Sequence, residues 1–326
     1  MSLFSQKDSK LPRLKQAVDD ELMQRVLTSA LGNGVNGADY RVRHEILKHK
    51  PGKHCVLLYL LESRDTPSAR RVVGKMYRMD RGKKIFQNML SLWSANHNRD
   101  RCGAVLGMAE PLAYVPELGM VIQRAVFGRL FARLSAWNEL ADAVRCVARN
   151  LAVLHSLPGS TLERRTTMEA HIKKFCRPGP RSLAAECLEM APLVEELVGG
   201  LQANKSLLSA PLCPVHGDLG LSQIYINDNQ AAFVDFDGCC LSHPALDLSN
   251  FLIALKVHYG PPSDDLRRLF LAAYLENHSP AMLVGLPAYH ALIYLRRAMI
   301  CFRTKSAPRW RQQVRQFLEI GIGLLK

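Results

Sequence analysis

The residues best suited to chemistry lie in one stretch of the chain, CPVHGDLGLSQIYINDNQAAFVDFDG, which spans residues 213–238. Two short β-type runs, IYI and AFV, flank the turn-forming sequence Asn227–Gln230. A hairpin closed by that turn pairs position 226 near 231 and position 223 near 234. The side chains of Gln223 and Asp235 then emerge at the same end of the hairpin.

Oxygen donors therefore converge at that end, because Asp218 precedes the hairpin on a loop and Asp237 follows Asp235 closely. Converging carboxylate and amide oxygens suit a hard cation such as Mg²⁺. A nearby carboxylate that does not bind the metal can orient a hydroxyl group and take its proton. The alternative is that each aspartate only caps a loop, and for Asp237 contact with metal and contact with solvent alone both stay open.

Two regions of different character surround this stretch. Residues 1–39 read as a polar arm and a helix, and residues 40–126 as three strands, a helix and two further strands. Residues 127–326 are mostly helical, including a predicted helix over 182–201 and the β-type interruption at 213–238. We predict an α+β fold with a small β-rich N-lobe and a larger, mainly helical C-lobe.

Three motifs resemble the signature of aminoglycoside phosphotransferases and choline kinases. They are HGD followed by Gln223, then FVDFD, then HPALDL. A KPGK hairpin, a VVGKMY strand and a helix ending in LH extend the resemblance over roughly residues 40–300. The resemblance implies a protein-kinase-like fold and the ATP-dependent phosphorylation of a hydroxyl group on a small molecule, with ATP and Mg²⁺ bound between the lobes.

Carried over to this sequence, the resemblance makes Asp218 the catalytic base and Asp235 a metal-binding aspartate. Gln223 stands where most members have an asparagine that binds metal, and it keeps the same amide oxygen. Asp247 is similar to an aspartate that holds the catalytic loop by hydrogen bonds, and His216 is expected to organise that loop.

Nucleotide-binding residues follow from the same resemblance. Lys75 resembles the lysine that contacts the α- and β-phosphates, although a lysine in an apolar strand can also extend its ammonium group to solvent. Gly52 and Lys53 occupy the place of the glycine-rich loop, with a single glycine. Gln123 and Ala125 fall in the hinge segment whose backbone is expected to contact adenine.

One departure keeps a second function open. The segment from Arg81 to Arg99 contains no glutamate to pair with Lys75, and Gln87 is the candidate for a neutral partner. The alternative to an active enzyme is a nucleotide-binding pseudokinase with a regulatory or scaffold role. A nucleic-acid binder with a degenerate kinase fold is a third interpretation.

Charge bears on the partner. The net charge is +14, but the positive residues are dispersed along the chain. The sequence also has no cysteine and histidine residues at zinc-finger spacing, so no nucleic acid is expected as a partner. After Asp247 the chain has four acidic residues against eleven lysines and arginines. We therefore expect a neutral or anionic acceptor, such as a sugar, a hydroxylated metabolite or a natural-product alcohol, and not a polycationic aminoglycoside. Arg296 and Arg297 either form the wet face of a helix or reach an anionic acceptor.

The remaining composition predicts a cytoplasmic protein without a membrane span. No apolar run of the required length is visible, and the N-terminal residues do not resemble a secretory signal. Nine cysteines without a C-x-x-C pair are typical of reduced, mostly buried thiols. The identity of the acceptor and the oligomeric state do not follow from the sequence.

Overall fold

A computed structural model describes residues 8–31, 40–63, 69–78, 81–98, 104–204, 211–261 and 263–326. The chain divides into two compact units. The described residues before 104, together with 107–127 and 232–234, form the first unit, and the other described residues form the second. Among the described residues, no helix combines the length and the hydropathy that a membrane span needs. The predicted domain limits after residues 39 and 126 stay predictions.

The first unit is built on an antiparallel sheet of five strands in the order β1-β2-β3-β5-β4. The strands are β1 (Tyr40–Lys50), β2 (His54–Ser63), β3 (Ala69–Tyr77), β4 (Pro111–Val115) and β5 (Met120–Arg124). Helix α3 (Arg81–His97) lies between β3 and β4 in the chain. The predicted order of three strands, one helix and two strands is confirmed.

The N-terminal helices belong to the same core as the sheet. They are α1 (Leu14–Ala17) and α2 (Asp20–Leu31), and Met23 and Leu27 of α2 are completely buried among sheet residues such as Leu57. The buried Tyr59 hydroxyl donates a hydrogen bond of 2.7 Å to the carbonyl oxygen of Ala17. Apolar burial of this kind is the main favourable term in folding, and it ties these helices to the sheet.

The second unit is mainly helical. Its helices are α4 (Trp137–His155), α5 (Met168–Phe175), α6 (Pro180–Glu186), α7 (Ala191–Ala203), α8 (Ala245–Tyr259), α9 (Ser263–Leu275), α10 (Leu286–Thr304) and α11 (Trp310–Gly323). Strand β6 (Arg129–Leu130) pairs with β8 (Ile224–Asn227), and β7 (Cys213–Val215) pairs with β10 (Cys240–Ser242). Strand β9 (Gln230–Phe233) follows β8 in the chain, and its last two residues are counted with the first unit. The α+β class, with a sheet-based N-lobe and a helical C-lobe, is confirmed.

Two local predictions were wrong in detail. The helix predicted over 182–201 is broken into α6, a 3₁₀ turn and α7, and Pro192 stands in the first turn of α7. Proline fits the first turn of a helix but cannot continue one, because it lacks an N–H group and clashes with the preceding turn. The predicted hairpin forms, but its turn is shortened to Asp228 and Asn229, with Asp228 at a φ of 49°.

The cysteines of the described residues are free thiols, and all but Cys301 are buried. Burial raises the pKa of the Cys55 thiol to about 11 and that of Cys176 to about 12. These groups therefore behave as small apolar side chains, as the sequence predicted.

Candidate functional site

A loop in the second unit begins directly after β7, where the predicted site residues His216, Gly217 and Asp218 follow one another. Val215 at the end of β7 pairs with Cys240 of β10, and the chain then enters α8. This strand pair brings the loop and the first turn of α8 together. The buried His216 ring also packs against Phe236, with the ring centres 4.7 Å apart.

Asp247, in the first turn of α8, holds this loop by its backbone. The side chain is completely buried, and its carboxylate oxygens accept the N–H groups of His216 at 2.6 Å and Gly217 at 2.8 Å. Two backbone donors on one ionised carboxylate form strong, charge-assisted hydrogen bonds. Because Asp218 is the next residue, these bonds restrict the position of its backbone.

A second layer of side chains supports Asp247. His155 of α4 lies with Nε2 3.4 Å from a carboxylate oxygen of Asp247, and its Nδ1 is 2.8 Å from the hydroxyl of Tyr274. Burial alone would raise the pKa of Asp247, but the hydrogen bonds from His155 and Gly217 outweigh it and lower that pKa. Burial also raises the pKa of Tyr274 well above its usual range, so its hydroxyl stays available as a donor.

Gly217 allows a close crossing of two backbone segments. Its φ is +77°, and a Cβ atom at this position would lie 2.4 Å from the carbonyl oxygen of Gly238. The conformation and the contact both exclude a side chain. The 3₁₀ turn Phe236–Gly238, which follows Asp235, is thereby fixed against the loop that carries Asp218.

Gly217→Ala is expected to destabilise the protein by roughly 1–3 kcal/mol or more, because it adds a strained φ to a backbone clash. Chemical denaturation of the whole chain measures this loss. Gly199→Ala is the matched control, since Gly199 is exposed in α7 and a Cβ there meets nothing within 4 Å. That control should be neutral or stabilising by about 1 kcal/mol, because alanine favours a helix. Equal effects of the two substitutions would contradict the crossing as the cause.

The carboxylate of Asp218 faces an arginine. Its side chain is 40% exposed, and one oxygen lies 2.7 Å from Nη1 of Arg296 in α10. Asp218 and Gln223 line a cavity of about 280 Å³ together with Arg296 and Arg297. The sequence interpretation in which these arginines face a ligand pocket is therefore compatible with the structure.

Lys174 of α5 is a neighbour of this loop that the sequence analysis did not single out. Its ammonium group donates a hydrogen bond of 3.3 Å to the carbonyl oxygen of Gly217. Lys174 and Arg296 also both contact the ring of Phe175, at 4.9 and 4.7 Å from the ring centre. Burial lowers the pKa of Lys174, and this effect is opposed by the nearby Cys240 and Asp218.

The predicted metal ligands are oxygen donors at the edge of the hairpin. Asp235 and Asp237 are both half-buried, and Asp235 has a left-handed backbone with φ 71°, an uncommon conformation for a residue other than glycine. The side-chain oxygen of Gln223 accepts the N–H of Gly220 at 2.6 Å, which leaves one of its two lone pairs. No group of three or more His, Cys, Asp and Glu side chains suited to a metal is found among the described residues. The carboxylate and amide oxygens of Asp235, Asp237 and Gln223 are of the kind that Mg²⁺ takes, since this cation is typically held by one or two carboxylates plus substrate phosphates.

The predicted nucleotide-binding residues belong to the first unit. Lys75 on β3 is only 8% exposed, with its ammonium group 5.0 Å from the ring centre of Tyr77. Gln87 is exposed on α3, which does not favour it as a partner for a buried lysine. The buried position of Lys75 does not favour the interpretation in which its ammonium group extends to solvent.

The backbone N–H groups of two predicted nucleotide-binding residues, Gly52 and Ala125, donate hydrogen bonds to protein atoms. The N–H of Gly52, next to Lys53 in the β1–β2 turn, donates a hydrogen bond of 2.9 Å to the carboxylate of Asp8. The N–H of Ala125 donates a hydrogen bond of 3.1 Å to the carbonyl oxygen of Arg71. Gln123 lies on β5, opposite Val73 of β3. The roles of these residues stay predictions.

Comparisons with known proteins agree with this arrangement. The model of the "Phosphotransferase enzyme family" matches residues 103–288, which is more than half of the chain, and the chain belongs to that family. A comparison of the sequence with curated proteins finds no match.

Solved structures with the same fold include several kinases. One is APH(2")-IIa in its ternary complex with streptomycin and ATP. Its chain is 13% identical to this one, with a TM-score of 0.59 over 94% of this chain and 98% of that chain. Choline kinase from Cryptosporidium parvum Iowa II is 13% identical, with a TM-score of 0.60 over 94% and 95%. Macrolide 2'-phosphotransferase MphH from Brachybacterium faecium is 14% identical, with a TM-score of 0.57 over 92% and 98%. The fold is therefore protein-kinase-like, and the predicted membership of this superfamily is confirmed.

Proposed function

We propose that the protein is an ATP-dependent kinase that phosphorylates a hydroxyl group of a small molecule, with Asp218 as the catalytic base. The observation that carries the proposal is the buried carboxylate of Asp247, which binds the N–H groups of His216 and Gly217. A loop fixed in this way presents a partly exposed carboxylate beside a cavity of metabolite size. Such preorganisation is what positions a catalytic group before the substrate binds.

In the proposed reaction, the acceptor hydroxyl donates a hydrogen bond to Asp218. As its oxygen forms a bond to the γ-phosphorus of ATP, the bond from that phosphorus to the β–γ bridging oxygen breaks and ADP leaves. The hydroxyl proton passes to the Asp218 carboxylate. Lys75 would neutralise negative charge on the phosphates, and the buried position of its side chain strengthens that interaction.

Asp235 and Gln223 would hold Mg²⁺, with Asp237 as a further possible ligand from the adjoining turn. When bound, the cation offsets charge on the transferred phosphoryl group. The oxygen chemistry of these side chains and the strained backbone of Asp235 support this assignment.

The direct test is to follow ATP consumption and product mass with a panel of alcohols, sugars, hydroxy acids and amino alcohols. Acceptor-dependent ADP formation, with the added phosphate located on a hydroxyl group, is expected. ATP binding without transfer to any member would instead favour the pseudokinase. That second candidate draws support from α3, which has no glutamate, and from the engaged N–H groups of Gly52 and Ala125.

Asp235→Ala is expected to weaken binding of Mg·ATP by at least about 10-fold, since it removes a carboxylate ligand. Binding of ATP without metal should change far less. Gln223→Asn should be tolerated, because it restores the amide that most relatives carry. Calorimetry with and without Mg²⁺ measures both effects, and Asp228→Asn in the exposed hairpin turn, where asparagine tolerates the φ of 49°, serves as the control. An unchanged Mg²⁺ dependence in Asp235→Ala would refute the ligand role.

A further inference from the structure

The cavity beside Asp218 lies entirely within the second unit, between the loop after β7 and helices α8 and α10. Its polar lining consists of Asp218, Ser222, Gln223, Asn250, Arg296 and Arg297. Two of these side chains are cationic and one is anionic. Because the anionic one is already paired with Arg296, the charge of Arg297 is left without a carboxylate in this lining.

Two buried donors in this lining lack hydrogen-bond partners among the described residues. They are Nε of Arg297 and Nδ2 of Asn250, while the Oδ1 of Asn250 accepts a bond of 3.2 Å from Arg296. A buried donor without an acceptor costs about 1–3 kcal/mol of stability. Both residues line the cavity, where a ligand or an ordered water can supply the acceptor atoms.

Two acidic residues that could instead attract a cationic acceptor are paired with lysines. Glu186, the last residue of α6, pairs with Lys305. A carboxylate oxygen of Glu196, in α7, lies 3.3 Å from the ammonium nitrogen of Lys326. Both partners follow α10 in the chain. Glu186 and Glu196 therefore add no unpaired carboxylate that would oppose the arginines of the cavity.

The cavity volume also limits the ligand. About 280 Å³ lies just below the roughly 300–1,000 Å³ that is usual for drug-sized ligands. Ile293 and Ile300 of α10 add an apolar wall. A metabolite with a short carbon skeleton fits within this space.

We propose that this cavity is the acceptor site and that it selects a small hydroxyl compound bearing a carboxylate or phosphate group. Arg297 and Asn250 bind the anionic group, Arg296 bridges it to Asp218, and the hydroxyl is held against the carboxylate of Asp218. Arginine suits this role, because its planar guanidinium matches carboxylate and phosphate oxygens. The assignment rests on the proposed kinase function, since it supplies that reaction with its acceptor.

Calorimetry of the whole protein without ATP tests the site independently of phosphoryl transfer. The probes are glycerate, glycerol 3-phosphate and glycerol, together with gluconate, glucose 6-phosphate, glucitol and glucosamine. The carboxylates and phosphates form separate arms, so the test also tells which anion is preferred. At least one anionic probe should bind about 10- to 100-fold more tightly than its neutral partner. No preference for any anion over its neutral or cationic counterpart would overturn the proposal.

Arg297→Gln should abolish that preference, and Arg297→Lys should restore it in part because it returns the charge. Arg303→Gln is the matched control, since Arg303 is an exposed residue of the same helix. Thermal unfolding of each variant checks that it is folded. If Arg297→Gln does not fold, Arg296→Gln takes its place and should weaken anion binding, since the Arg296 side chain is 26% exposed.

The outcomes separate this proposal from the kinase proposal. Anion binding that is lost in Arg297→Gln and retained in Arg303→Gln supports the site even if no phosphate is transferred, and in that case only the kinase function fails. Equal anion binding in Arg297→Gln and the unmodified protein overturns the site. Phosphorylation of neutral acceptors with no anion preference also overturns it and leaves the kinase function standing.

Discussion

Asp218→Asn is expected to lower the rate of phosphoryl transfer by about 10²–10⁴-fold, the usual contribution of a general base. The amide keeps the size of the carboxylate but cannot take the hydroxyl proton. Affinity for ATP should change little, because the residues proposed to hold the nucleotide are others. Single-turnover kinetics with saturating acceptor measures the transfer step, and calorimetry measures ATP binding.

The matched control for this substitution is Asp228→Asn. Asp228 is exposed in the two-residue turn of the nearby hairpin, and its φ of 49° is a conformation that asparagine also tolerates. The two variants lose the same charge, so a general electrostatic effect on the protein would appear in both. Turnover at the unmodified rate in Asp218→Asn would end the assignment of the base.

Elements set by local patterns could be predicted from the sequence. The strands and α3 of the first unit follow from alternating or helical apolar spacing, which depends only on near neighbours in the chain. The association of α2 with the sheet could not be predicted in this way. Met23 and Leu27 look like the apolar face of any amphipathic helix, and only tertiary packing decides which surface covers them.

The candidate site also has a part that the sequence predicts and a part that it does not. His216, Gly217 and Asp218 are consecutive, and Gln223 and Asp235 flank one hairpin, so a single stretch of sequence contains them. The supporting contacts join distant segments, and periodicity carries no information about such pairs.

The contacts of His155 illustrate this limit. Asp247 lies 92 positions after His155 in the sequence, and Tyr274 lies 119 positions after it. Arg296 contacts Asp218 from helix α10, which is distant from Asp218 in the sequence. A histidine at a helix end is more often a packing residue than a ligand. The side chain of His155 is fully buried, and it also contacts the carboxylate of Asp247. Its contact with the carboxylate of Asp247 depends on the packing of α4 against α8.

Asp247→Ala is expected to lower the free energy of unfolding by roughly 3–5 kcal/mol, the range seen when one partner of a buried charged pair is removed. The substitution leaves the N–H groups of His216 and Gly217 buried without their acceptor. It also frees the loop before Asp218, so phosphoryl transfer should fall with it. Denaturant unfolding and turnover measure the two losses, and Asp264→Ala, at an exposed position in the first turn of α9, is the control.

The stability that Asp247 contributes should also depend on pH in one direction. Its pKa in the folded protein lies below the ordinary aspartate value of 3.8, so the unfolded chain binds the proton more readily. The contribution is therefore complete above about pH 4 and is lost as the pH falls through the folded-state pKa. The difference in unfolding free energy between the unmodified protein and Asp247→Asn isolates this effect, because other titrating groups cancel. That difference should shrink on acidification below about pH 4, whereas a constant difference would mean that the carboxylate charge does not hold the loop.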